Sequence, residues 1–83
     1  MELKDTLELI SSEDYTDRFK AEYLQLKIRL DKLENMIAKY EAGTLDFKPK
    51  CTLDLLKLQR AYMREYLYVL KVRAEIENVN LQE

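Results

Sequence analysis

The chain has no histidine and no tryptophan, and only one cysteine, one glycine and one proline among its 83 residues. Each scarcity removes a class of answer. Without histidine there is no Ser-His-Asp triad and no His-bearing zinc site. With Cys51 alone there is no disulfide and no four-cysteine zinc site, and a single free thiol suits a reducing compartment or an inert packed position. One glycine cannot build a phosphate-cradling loop. No apolar run approaches the ~18 residues that a membrane span needs, and the opening MELKDTLELISS lacks the basic-then-apolar order of a signal peptide. Charge of one sign is missing too. Fourteen basic and 16 acidic residues give a net charge of −2, whereas a general nucleic-acid binder carries a basic excess.

What remains is 36% charged and 47% hydrophobic residues with almost no helix breakers, the composition of long, solvent-exposed helices. The fold class this predicts is all-α, one small domain built as an antiparallel helical hairpin. The only Gly and the only Pro, Gly43 and Pro49, share one segment, AGTLDFKPKC, so that segment is the break. Before it, Tyr15, Phe19, Tyr23, Leu26, Leu30, Leu33, Ile37 and Tyr40 recur at steps of three and four, a heptad-like seam. The first long helix is therefore expected over residues 13–42, with Ser11 or Ser12 capping its start and Gly43 ending it in the left-handed conformation. A loop over 43–52 follows, in which Leu45 and Phe47 fold back over the hairpin end. The second helix is expected over 53–78, capped by Cys51 or Thr52, with Asp54 favourably placed in its first turn. Its inner face is Leu53, Leu56, Met63, Leu67, Leu70 and Ala74. Residues 1–12 form an N-terminal segment that can make a short helix with Leu3, Leu7 and Ile10 on one side, and residues 13–83 form the hairpin domain.

The second helix has more apolar surface than one partner can cover. In AYMREYLYVLKVRAEIE, 11 of 17 residues are apolar or Tyr. At 100° per residue, Leu55, Leu58, Tyr62, Val69 and Ile76 fall well round from the inner face. Soluble monomers avoid such a patch. Self-association, as a two-fold dimer or a larger closed ring such as a hexamer, is expected to cover it; the competing cover is the N-terminal segment folded across it.

No catalytic constellation is present, so the chain is read as a non-enzyme without cofactor or metal. The carboxylates Asp31, Glu34, Glu75 and Glu77 read as solvated faces, and Cys51 lacks a histidine to activate it. Two groupings could bind. Arg18, Gln25, Arg29, Lys32 and Lys39 line one flank of the first seam, a stripe able to hold phosphates or to form ordinary i, i+4 salt bridges such as Arg18–Glu22. Gln59, Tyr62, Tyr66 and Arg73 on the second helix mix aromatic planes with a guanidinium. That kit stacks a base and grips a phosphate, and it is equally the kit of a protein interface.

Asp14-Tyr15-Thr16-Asp17-Arg18, EYLQLKIRLDKLENMI, GTLDFKPKC and LQRAYMREYLYVLKVRAEIE resemble small helical proteins encoded by phages of Gram-positive and gut bacteria, the crAss-like phages included. The resemblance covers residues 13–81 and rests on Tyr-x-x-Arg at 15–18, Lys32-Leu33, the run 43–47 and Tyr-Leu-x-x-Leu at 66–70. In shape that family is similar to the hairpins of two phage sponge proteins, one taking up the cyclic nucleotides of CBASS defence and the other the cyclic ADP-ribose signal of Thoeris defence. The resemblance implies a homo-oligomeric, non-enzymatic anti-defence protein that sequesters a cyclic nucleotide or cyclic ADP-ribose-type ligand in the host cytoplasm, with neither membrane nor nucleic acid as partner. Arg18, Arg29 and Lys32 would neutralise phosphates; Tyr15, Tyr62 or Tyr66 would stack a base; Arg73 would pair with phosphate or ribose. The rival readings are a protein-binding inhibitor of a defence enzyme, in the manner of an anti-CRISPR, and a coiled-coil oligomer with no ligand.

Overall fold

A computed structural model describes residues 1–81. In chain order it has a 3-10 turn over Leu3–Thr6 that runs into α1 (Leu7–Ile10), then α2 (Tyr15–Ala42) and α3 (Leu53–Glu77). There is no strand among the described residues. The two long helices pack as a hairpin, and the N-terminal segment lies along α2.

Local chemistry sets the ends of each helix. Asp14, not Ser11 or Ser12, caps α2: its Oδ1 accepts the Thr16 N–H at 2.9 Å. A carboxylate offers the free N–H groups both an acceptor and a charge that opposes the helix dipole. Ser12 acts one step earlier, accepting the Asp14 N–H at 3.1 Å and donating to Asp17 at 2.8 Å. At the far end Gly43 takes φ +76°. The Thr44 N–H reaches back to the Lys39 carbonyl at 2.9 Å, closing the helix as a left-handed C-terminal residue allows. Thr52, not Cys51, caps α3, its hydroxyl oxygen accepting the Leu55 N–H at 3.2 Å. Asn78 ends α3 at φ 59°, a conformation that Asn tolerates better than most side chains.

The α2 seam is buried from Phe19 through Tyr23, Leu26, Leu30 and Leu33 to Ile37, while its two ends, Tyr15 and Tyr40, are exposed. Against it α3 lays Leu70 and Ala74, both buried, and the half-buried Leu53, Leu56, Met63 and Leu67. Ala21, Leu24 and Ile28 are buried as well. They form a second stripe at helical spacing, and Met1 lies in a groove with Leu24 and Ile28. That stripe faces the N-terminal segment, so α2 is covered on two sides.

The N-terminal segment does not present the side expected of it. Leu7 is 61% and Ile10 43% exposed, and the inward residues are Leu3, Thr6 and Leu9. The 3-10 turn, at three residues per turn, aligns Leu3 with Thr6, and Leu9, three positions further on in α1, follows on the same side. The segment rests on α2 and leaves the outer face of α3 bare. Leu55, Leu58, Tyr62, Val69 and Ile76 are each about half or more exposed, Ile76 reaching 78%. In the loop, Leu45 is half-buried and shares a groove with Met36 and Lys39, while Phe47 at its edge is exposed. No helix among the described residues is long and apolar enough to cross a membrane.

Candidate functional site

Arg18, Gln25 and Arg29 sit seven and four residues apart on α2, which places them on one flank. Tyr66 of α3 and Ile10 of the N-terminal segment close the sides of a cleft in front of them, with Glu22 and Leu26 on its floor. The cleft holds about 320 Å³, the low end of the ~300–1,000 Å³ of small-molecule sites.

Its polar groups differ in how firmly they are held. Arg18 donates from Nη1 to the Ser12 carbonyl at 2.9 Å, which ties it to the turn before α2. Gln25 donates from Nε2 to the hydroxyl oxygen of Thr6 at 2.9 Å, and Thr6 is fully buried. Tyr66 donates its phenol hydrogen to the Glu22 carboxylate. That hydrogen bond, then burial, pushes the Tyr66 phenol above its ordinary value, so the hydroxyl stays protonated. The Arg18–Glu22 salt bridge expected along α2 is not made, because Glu22 takes Tyr66 from the facing helix instead. Arg29 is exposed and has no carboxylate partner among the described residues. With two arginines and one carboxylate the cleft carries a net positive charge.

The other expected ligand residues are distributed elsewhere. Tyr62 lines a shallow apolar depression on the outer side of α3 with Leu55, Leu58, Gln59 and Met63. Tyr66 borders both this depression and the basic cleft, so the two are neighbours. Lys32 points away, toward Glu2 at 3.5 Å, in a pair whose side chains are 60% and 63% exposed; such a pair contributes little.

Tyr15 and Arg73 come together, but around a carboxylate. Tyr15 donates to Glu77 Oε1 at 2.6 Å. Arg73 donates from Nε to Glu77 at 3.2 Å and from Nη2 to the Tyr15 hydroxyl at 3.0 Å. Its guanidinium also lies 4.9 Å from the centre of the Phe19 ring, a cation–π distance. The Tyr15 hydrogen bond is the main influence holding the Glu77 carboxyl below its ordinary value, with Arg73 helping and burial opposing. The same bond raises the Tyr15 phenol, and the bond to Glu77 raises the Arg73 guanidinium. This cluster is satisfied within itself.

Gln25, Glu22, Ile10 and Thr6 belong to the basic cleft or its support and were absent from the expected ligand set. Gln25 was legible as a flank position between Arg18 and Arg29. Ile10 and Thr6 carried no such signal, since their part depends on where the N-terminal segment lands. Among the described residues no group of three His, Cys, Asp or Glu side chains is placed to hold a metal ion.

No curated protein and no solved structure matches the chain. A family match does exist, over residues 13–76, taking in all of α2 and all but the last residue of α3. Every residue of the basic cleft except Ile10 lies inside that span, and on this match the chain belongs to the Sequestin family.

Proposed function

We propose that this protein is a phage anti-defence protein that binds a cyclic nucleotide-type immune signal and holds it without cleaving it, in a site completed by a second copy of the chain. The observation that carries the reading is the convergence of Arg18 and Arg29 on one cleft, with Arg29 free of any carboxylate partner among the described residues. Arg18 and Arg29 stand 11 residues apart on α2, about three helical turns, so their long side chains reach in from the two ends of the cleft toward phosphate oxygens, and Tyr66 at the rim offers a ring for a base. The family name fits a chain that sequesters a ligand. The cleft adjoins the apolar α3 face through Tyr66, and ligand sites enclose most of their ligand. A second copy seated on Leu55, Leu58, Tyr62, Val69 and Ile76 would close it. At about 1.5–3 kcal/mol per large apolar side chain fully buried, that face would also add the stability that an 83-residue hairpin lacks alone.

The test is thermal melting against cyclic di-AMP, cyclic di-GMP, a cyclic trinucleotide and the cyclic ADP-ribose isomers, with the mass in solution measured alongside. A ligand present at 100 times its dissociation constant stabilises by about 2.7 kcal/mol, a clear rise in melting temperature for a domain this small. The expected result is a shift with one class of nucleotide, recovered chemically intact, in a protein heavier than one chain. A well-folded protein unmoved by the whole panel would overturn the reading and turn the bare face toward a protein target.

A further inference from the structure

The amide of Gln25 has a defined orientation, and its cause lies outside the cleft. Thr6 is fully buried, and its hydroxyl hydrogen is committed to the Leu3 carbonyl at 2.7 Å. A hydroxyl has one hydrogen to give. At 2.9 Å from Gln25 its oxygen can therefore only accept, which selects the NH₂ end of the amide. The carbonyl end, Gln25 Oε1, is left for the cleft that Gln25 lines between Arg18 and Arg29. Two positive donors thus flank one neutral acceptor.

Resting on the nucleotide-binding reading above, we infer that Gln25 is a specificity-determining residue: its Oε1 accepts a hydrogen bond from a donor on the nucleoside portion of the ligand, a ribose hydroxyl or a base amine, while Arg18 and Arg29 take the phosphates. Thr6 is the positioning residue that keeps this acceptor from turning round. An amide free to flip would present its donors to the same ligand hydrogen about half the time. It would also place NH₂ beside the arginines, where phosphate alone would suffice as partner. The 3-10 turn that buries Thr6 thereby reaches the site through one side chain.

Two probes separate the roles. Inorganic pyrophosphate carries phosphate oxygens and no nucleoside; ADP carries a comparable diphosphate together with ribose hydroxyls and the adenine amine. Titration calorimetry on the full chain is expected to show tighter binding of ADP than of pyrophosphate. Thr6→Val, which keeps the shape and removes the hydroxyl, and Gln25→Met, which removes the acceptor, should each weaken ADP about five- to tenfold, the range of one neutral hydrogen bond, and leave pyrophosphate unmoved. Thr6→Ser should restore ADP binding, and circular dichroism should show the same helical content in all three variants. A merely structural Thr6 would lower both probes together or neither. Equal binding of the two probes by the natural protein, or an unchanged preference for ADP in both Thr6→Val and Gln25→Met, would overturn the inference while leaving nucleotide capture intact. Failure of the natural protein to bind either probe would overturn it as well, and the cyclic nucleotide panel would then show whether the proposed function falls with it.

Discussion

Two clusters on the same hairpin use nearly the same side chains and end in opposite states. Around Arg73, a tyrosine, a guanidinium and a phenyl ring close on Glu77, and the phenol, the guanidinium and the carboxylate bond one another within 3.2 Å. Around Arg29, a tyrosine, two guanidiniums and an amide face a cleft, and the one carboxylate nearby is engaged by Tyr66. The difference is the partner that a single acidic residue takes. Glu77 and Glu22 each lie four residues after an arginine of their own helix, but Glu77 stays with Arg73, whereas Glu22 is drawn across to Tyr66 of α3. Aromatic rings beside arginines therefore do not identify a binding site. The decisive question is whether a carboxylate of the same chain already occupies the guanidinium.

The bluntest way to erase the contrast is to loosen the seam that both clusters share. Leu70 is fully buried and lies between Tyr66 and Arg73 on α3. Leu70→Ala should cost about 2–5 kcal/mol in chemical denaturation and weaken both clusters alike. Next in size is an attack on the open cluster from outside. Tyr62 is 67% exposed, so Tyr62→Glu should leave the fold of one chain intact, yet reduce the mass in solution to that of a monomer and abolish any nucleotide-induced melting shift. A change in melting temperature without a change in mass would count against the paired arrangement. A finer cut comes from the two arginines themselves. Arg29→Ala should weaken nucleotide binding at least tenfold with the melting temperature nearly unchanged, and Arg73→Ala should do the reverse, lowering the melting temperature of the ligand-free protein. If Arg73→Ala abolished binding at full stability, the division into closed and open clusters would be mistaken.

The smallest expected effect is in pH. Glu77 is held below its ordinary value of 4.5, so its contribution to stability is present above that value and is lost as pH falls through the lower, folded one. Tyr15 is raised above 10.0, so its contribution is present below that value and is lost as pH rises through the folded one. Glu77→Gln should flatten the pH dependence of melting at both ends, relative to the natural protein.

Periodicity made most of this architecture legible. The steps of three and four from Tyr15 to Tyr40, and the lone Gly and Pro between the two runs, contained the hairpin. The surplus apolar residues at 55, 58, 62, 69 and 76 pointed to a face that the chain itself leaves uncovered. The stripe Ala21, Leu24 and Ile28 went unread because alanine and isolated aliphatic residues on a charged flank give no strong periodic signal of their own. Of the candidate site, Arg18, Arg29 and Tyr66 were placed together by the hairpin, since two come from one flank and the third from the facing helix. The closure of Tyr15 on Glu77 could not be seen, because the two are 62 positions apart and their meeting depends on the register of α2 against α3. The part played by Thr6 was hidden for a different reason. A buried threonine in a ten-residue amphipathic segment looks like a polar interruption until the turn is found to have three residues per turn.

The lone cysteine has a use that its chemistry alone did not suggest. Cys51 is exposed and borders the apolar depression formed by Leu55, Leu58 and Tyr62. Because the chain has no other thiol, a maleimide dye would attach at one known place beside that face, without any engineered handle. Its rate of attachment would follow the covering and uncovering of the α3 surface in real time, and a fluorophore there would register dilution of the protein as a change in the polarity of its surroundings.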